Sequence, residues 1–199
     1  MTRCLVTDRH RLCPGADSFS AARARLVEQA RRAAAVGVEL IQIRERDLEA
    51  AALEALVADV VAVTRGSTTR VVVNDRIDVA LASGAHGVHL RGDSVSVEAA
   101  RRLLAAPLLV GRSVHNVEQA GSASAADYLI AGTVFSSPSK PDAAALLGLD
   151  GLRAIVRATT VPVLAIGGIT PDRIADVLAT GAAGIAAIGL FIDSLKTAS

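Results

Sequence analysis

Several groups of polar residues have the types and spacing of a phosphate-handling site. The densest lies at 131–141, where Thr133, Ser136, Ser137, Ser139 and Lys140 follow the apolar run Tyr128-Leu129-Ile130 and are braced by Pro138 and Pro141. Hydroxyl donors and one ammonium held on a short loop suit a phosphate. Gln42, Arg44 and Arg46 alternate with Ile43 and Glu45, so in an extended segment their side chains leave on one side. Two guanidiniums beside an amide suit a diphosphate. The same arginines could instead form a network with Glu45 and Asp47 that closes the fold.

Asn74-Asp75 and Asp93 follow neighbouring apolar runs. Two carboxylates that share substrate phosphates describe a magnesium site; either alone could be a helix N-cap, Asp75 for the segment that starts at Arg76. Ile166-Gly167-Gly168-Ile169 and Ile188-Gly189 offer bare backbone N–H groups of the kind that hold an anion, or simply make tight turns. His89 and His115 sit in or just after apolar runs, where a histidine is usually a hydrogen-bonded core residue. No Cys-His or Ser-His-Asp spacing supports a protein nucleophile.

The elements that must position these residues alternate along the whole chain. Apolar runs predict strands over 4–7, 39–44, 70–74, 86–90, 107–113, 128–131, 161–166 and 184–188. Between them lie segments with helical periodicity, such as Leu53, Leu56, Val57, Val60 and Val61. The best-marked start is Thr170 as N-cap with Pro171 at the first helical position, and Gly181 marks the end. A last helix is expected over 190–196. Eight strand-helix units predict a single-domain α/β protein, a (βα)8 TIM barrel over 1–199, with its reaction face at the C-terminal strand ends. The polar residues named above fall at those ends, as does Ser113.

Composition agrees with this fold. Hydrophobic residues make up 51% of the 199 and aromatics only 2%, a core of Ala, Val, Leu and Ile suited to parallel strands under helices. The net charge of +1 and the dispersed arginines argue against nucleic acid. No apolar run reaches the roughly 18 residues of a membrane span, and Asp8, Arg9, His10 and Arg11 interrupt any signal-peptide pattern. A cytoplasmic protein is expected, with Cys4 and Cys13 as reduced packing thiols. A homo-oligomer is left open.

Taken together, the segments resemble the thiamine phosphate synthase and thiazole tautomerase superfamily over essentially the whole chain. They are Gln42-Ile43-Arg44-Glu45-Arg46-Asp47, Val73-Asn74-Asp75-Arg76, Gly87-Val88-His89-Leu90 with Asp93, Gly111-Arg112-Ser113-Val114-His115, 132–140, and Ala165-Ile166-Gly167-Gly168-Ile169-Thr170. The resemblance implies that Gln42, Arg44, Arg46, Asn74, Ser113 and Lys140 hold an aminopyrimidine diphosphate. It implies that Asp75 and Asp93 bind Mg2+, and that Ser137, Ser139, Gly168, Ile188 and Gly189 hold a thiazole phosphate. Arg44, Arg46 and Lys140 would carry the catalysis of a transferase acting on small phosphorylated substrates. Arg46 stands where a lysine is usual, Arg91-Gly92 where Gly-Gln is usual, and Gly189 where a serine is common. The tautomerase branch, an isomerase needing no metal, is the alternative, and Thr133 stands where its catalytic histidine would be. A non-catalytic phosphate-sensing barrel is a further one.

Overall fold

Short runs rich in Val, Ile and Leu become strands because branched side chains pack well on a pleated surface covered on both faces. In the computed structural model, which describes residues 1–16, 18–104, 107–136 and 146–194, these strands are β1 (Thr2–Val6), β2 (Leu40–Ile43), β3 (Arg70–Asn74), β4 (Gly87–Leu90), β5 (Leu109–Val114), β6 (Tyr128–Ala131), β7 (Val163–Ile166) and β8 (Gly184–Ala187). They form a closed barrel in chain order. Parallel pairing of β1 with β8, with Cys4 opposite Ala186, completes the ring.

The helices are α1 (Arg9–Leu12), α2 (Phe19–Ala35), α3 (Ala50–Thr64), α4 (Ile77–Ser83), α5 (Val97–Leu103), α6 (Val117–Ser122), α7 (Gly148–Arg157), α8 (Ile174–Leu178) and α9 (Gly189–Ser194). Leu26, Ala30 and Ala33 of α2 and Leu53, Leu56, Val57 and Val60 of α3 turn onto the sheet, where Leu5, Ile41, Val71 and Val73 point outward to meet them. The opposite strand face forms a separate inner cluster of Cys4, Val6, Leu40, Val72, Tyr128, Ile130, Leu164 and Ala186. This alternation sends successive residues of one strand to the helices and to the barrel axis. Both cysteines are free thiols, and burial raises that of Cys4.

Three local differences from the sequence reading have physical causes. The strands at 107–113 and 161–166 begin two residues later than expected, at Leu109 and Val163, because Pro107 and Pro162 bring no N–H to the ladder. The helix expected from Thr170 opens instead as a 3-10 turn at Pro171–Arg173, and α8 starts at Ile174. The Thr170 side chain makes no cap bond; its hydroxyl is engaged by the Asp172 carboxylate. Finally, α1 is too short to show a period, but the Asp8 carboxylate caps it by accepting the Arg11 N–H at 3.1 Å. The last helix is described to Ser194, and the remainder of the expected 190–196 span lies outside the described residues. Among the described residues no helix is long and apolar enough to cross a membrane.

Candidate active site

The C-terminal strand ends open on a cavity of 1120 Å3. Gln42, Arg44, Arg46, Asn74, Asp93, Ser113, Gly168, Ile188 and Gly189 all line it. Asp75 does not; it stands behind Arg91. Ser137, Ser139 and Lys140 lie outside the described residues.

Past the end of β2 the side chains keep alternating, with the Arg44 N–H donating to Thr7 Oγ1 at 2.9 Å. Arg44 and Arg46 therefore turn into the cavity while Glu45 turns away and is 3% exposed. Glu45 accepts from Arg9, through its backbone N–H at 3.1 Å and its Nη1 at 3.1 Å. Asp47 accepts both Arg9 Nη groups at 2.5 Å and faces His10. Burial raises the Glu45 carboxyl against the bonds from Thr7 and Arg9, whereas the Arg9 guanidinium holds Asp47 far below the usual carboxylate range. The network with Glu45 and Asp47 thus exists, but α1 supplies its cation. Among the described residues neither Arg44 nor Arg46 makes an ion pair.

Gln42 Nε2 donates to Asn74 Oδ1 at 3.2 Å inside the barrel, which fixes the Asn74 amide with its NH2 available for a ligand. The next residue, Asp75, has φ +62°, a left-handed conformation that aspartate tolerates better than most residues. Its N–H donates to the His89 carbonyl at 2.9 Å. Its carboxylate accepts the Arg91 N–H at 3.3 Å and lies 3.6 Å from Arg91 Nε. The start of α4 is capped at Arg76 without any side-chain bond, so Asp75 is not a helix cap.

Arg91 also forks onto Asp93 through Nε and Nη2. One guanidinium therefore bridges the two carboxylates named as magnesium ligands. The donor set fits a hard divalent cation: two carboxylates already close around one positive group. Among the described residues no third acidic, His or Cys ligand joins them. Such a pair is completed by substrate phosphate oxygens and water rather than by more protein.

Behind this rim lies a buried polar chain. His89, 1% exposed, has Nε2 at 2.8 Å from Ser113 Oγ and Nδ1 at 3.2 Å from the Tyr128 hydroxyl. Burial, with the charge of Arg112 adding to it, pushes the imidazole down to about 3, and burial raises the Tyr128 hydroxyl. Both groups are thus neutral at pH 7. With Tyr128 donating to Nδ1, Nε2–H donates to Ser113, and the Ser113 proton is directed to the cavity; this tautomer is assigned from the hydrogen-bond chain. The rings need the space that Gly111 leaves, since a Cβ there would lie 2.2 Å from Tyr128 Cζ and 2.6 Å from His89 Nδ1. His115, also on the cavity, is anchored through Nδ1 to the Gly132 carbonyl, and its N–H donates to Gln119 Oε1 at 2.7 Å.

On the far side the loop after β6 is pinned to the end of β7, with Val134 N–H donating to Ile166 O at 2.9 Å and Phe135 N–H to Gly167 O at 3.0 Å. Gly168, at φ +62°, lies so close beneath this loop that a Cβ would sit 2.4 Å from Ser136 O. Arg173 Nη1 donates to the Gly168 carbonyl at 2.9 Å, and its guanidinium lies 4.6 Å from the centre of the Phe135 ring. Gly167, Gly168, Ile188 and Gly189 all line the cavity at this corner, and at Gly167 and Gly168 the missing Cβ makes room for the loop after β6.

Sequence reasoning missed Arg11, Arg91, Gln119 and Arg173, which line this mouth, and Arg9, which pairs with Glu45 and Asp47. Arg9 and Arg11 carry no periodic signal, and their only pointer is position directly after the first strand. Arg91 could have been found from its placement between Leu90 and Asp93.

A closed (βα)8 barrel whose strand ends collect arginines, paired carboxylates and bare glycines defines an enzyme of small phosphorylated substrates. A family model described as thiamine monophosphate synthase matches residues 5–191. The thiamine-phosphate synthase of Methanoregula boonei is 46% identical over 167 residues, covering 83% of this chain and 77% of its own. That of Moorella thermoacetica is 39% identical over 175 residues, with 87% and 83% covered. The solved thiamine phosphate pyrophosphorylase from Pyrococcus furiosus superposes with a TM-score of 0.79 at 36% identity, covering 94% of this chain and 85% of that one. The chain belongs to the thiamine monophosphate synthase family.

Proposed function

We infer that the protein is a thiamine-phosphate synthase, a transferase that joins hydroxymethylpyrimidine diphosphate to hydroxyethylthiazole phosphate. The observation that carries this reading is the shared mouth, where Arg44, Arg46 and Asn74 lie beside Asp93 on one side and Gly168 and Gly189 close the other. Two phosphorylated rings can then meet over the barrel axis. The whole chain, 1–199, is read as one such domain.

In the reaction, the bond from the pyrimidine methylene carbon to the diphosphate oxygen breaks, and its electron pair leaves with diphosphate. The thiazole nitrogen lone pair then forms the new C–N bond, giving thiamine phosphate and free diphosphate. Arg44 and Arg46 neutralise the departing charge, together with Lys140. Gln42 and Asn74 orient the diphosphate arm, and the hydroxyl of Ser113, aimed by His89, meets the aminopyrimidine ring. Ser137, Ser139, Gly168, Ile188 and Gly189 hold the thiazole phosphate. Asp75 and Asp93 would hold Mg2+, which supplies Lewis-acid stabilisation of charge on the leaving diphosphate. Preorganised charge and positioning, with no protein nucleophile, lower the barrel's reaction barrier.

Calorimetric titration of the purified chain with the pyrimidine diphosphate, with and without magnesium, tests the assignment. A synthase binds it and binds it more tightly with the metal. A chain that ignores this ligand but binds thiazole phosphate is instead the tautomerase.

A further inference from the structure

Among the described residues five arginines line the cavity: Arg11, Arg44, Arg46, Arg91 and Arg173. Arg44 and Arg46 belong to the diphosphate side, Arg91 bridges Asp75 and Asp93, and Arg173 is directed to the Gly168 carbonyl and the Phe135 ring. Arg11 stands between the two sides, since β1 pairs with β2 as well as with β8. It sits on α1, directly after β1, and β1 pairs with β8 at the closure of the barrel. Its backbone is fixed by the bond from its N–H to Asp8.

The guanidinium of Arg11 reaches the end of β8. A Cβ placed on Gly189 would lie 3.0 Å from Arg11 Nη2 and 3.9 Å from its Cζ and Nη1. The arginine therefore occupies the volume that a side chain at 189 would claim. Glycine at 189 leaves bare backbone on the cavity and room for a guanidinium beside it. The other cation beside Gly168 is Arg173, whose guanidinium is engaged by the Gly168 carbonyl and the Phe135 ring, and backbone N–H and hydroxyl groups donate hydrogen bonds without supplying a full positive charge. Guanidinium offers that charge in a fork that matches phosphate oxygens.

We propose that Arg11 is a substrate-binding residue of this chain, which recognises the phosphate of the thiazole substrate at Gly189. The proposal rests on the synthase reading for the identity of that substrate. It makes α1, which the site residues named from the sequence do not include, part of the binding surface. It also makes residues 11 and 189 one unit, so that a larger residue at 189 displaces the guanidinium.

The test is calorimetric binding of thiazole phosphate and of the unphosphorylated thiazole alcohol to the full-length chain, to Arg11→Ala and to Arg11→Lys. The expected result is a loss of about 10- to 100-fold in affinity for thiazole phosphate in Arg11→Ala, the value of a charge-assisted hydrogen bond. Arg11→Lys recovers part of it, and affinity for the alcohol and for the pyrimidine diphosphate changes by less than about twofold, as for a contact made to one phosphate alone. Thermal unfolding of each variant separates a misfolded chain from a specific loss, and in that event Arg11→Lys against wild type carries the comparison. If wild type prefers the phosphate over the alcohol and both variants keep that preference in full, the proposal is overturned while the synthase reading stands. If wild type shows no preference for the phosphate, the phosphate seat at Gly168 and Gly189 is wrong and the proposal falls with it.

Discussion

Lowering the pH should expose the cost of keeping His89 neutral. The imidazole is held at about 3 in the folded chain against an ordinary 6.5, so between these values the unfolded chain binds a proton that the folded chain refuses. Stability from this group is complete above pH 6.5 and is lost as the pH falls towards 3. Each pH unit in that window removes about 1.4 kcal/mol, so that roughly 2 kcal/mol is gone at pH 5 and on the order of 4 to 5 kcal/mol by the lower end. The carboxylates held below their usual range, such as Asp47 and Asp78, contribute loss of the same sign. The comparison must therefore be with His89→Gln, which keeps a hydrogen-bonding side chain and cannot titrate. Urea unfolding of both proteins at pH 7 and pH 5 gives the difference directly. Wild type should lose about 2 kcal/mol more than the variant between these conditions. Parallel losses in the two proteins would refute the claim that His89 is a buried neutral link between Tyr128 and Ser113.

Two further outcomes follow from the same geometry. Gly111→Ala places a methyl group against Tyr128 and His89; overpacking of this kind should cost about 1–3 kcal/mol in urea unfolding and raise the KM for the pyrimidine diphosphate through displaced Ser113. Arg91→Ala removes the cation shared by Asp75 and Asp93, so half-saturation by magnesium should come at a several-fold lower concentration in steady-state assays and in Mn2+ binding followed by electron paramagnetic resonance. An unchanged metal requirement would separate Arg91 from the metal ligands.

The fold was legible because its signals are local and repeated. β3 at Arg70–Asn74 and β6 at Tyr128–Ala131 agree with their predicted runs residue for residue, since each is an uninterrupted apolar segment set off from its neighbours. Errors came where a side chain competes with the backbone. Thr170 has the residue type and extended backbone of a cap, yet Asp172 draws off its hydroxyl, a contact that propensity cannot anticipate. The placement of Gln42, Arg44 and Arg46 on the cavity was legible, because side-chain alternation continues past the end of β2 and separates them from Glu45. It was not legible where the partner is distant in sequence. Arg9 meets Glu45 and Asp47 only because β1 and β2 are neighbours in the barrel, and Arg11 meets Gly189 only because the barrel closes between β1 and β8. Arg91 is a different case. Its fork onto Asp93 is local, but its contact to Asp75 depends on the left-handed turn at the end of β3.

The central claim is that one mouth brings a pyrimidine diphosphate and a thiazole phosphate together for C–N bond formation. Its most direct test is a turnover assay on the purified chain with both substrates and magnesium, following thiamine phosphate and diphosphate by chromatography. The two products should appear in equal amounts, and omission of either substrate should abolish both. Full occupancy by both ligands without any thiamine phosphate would contradict it.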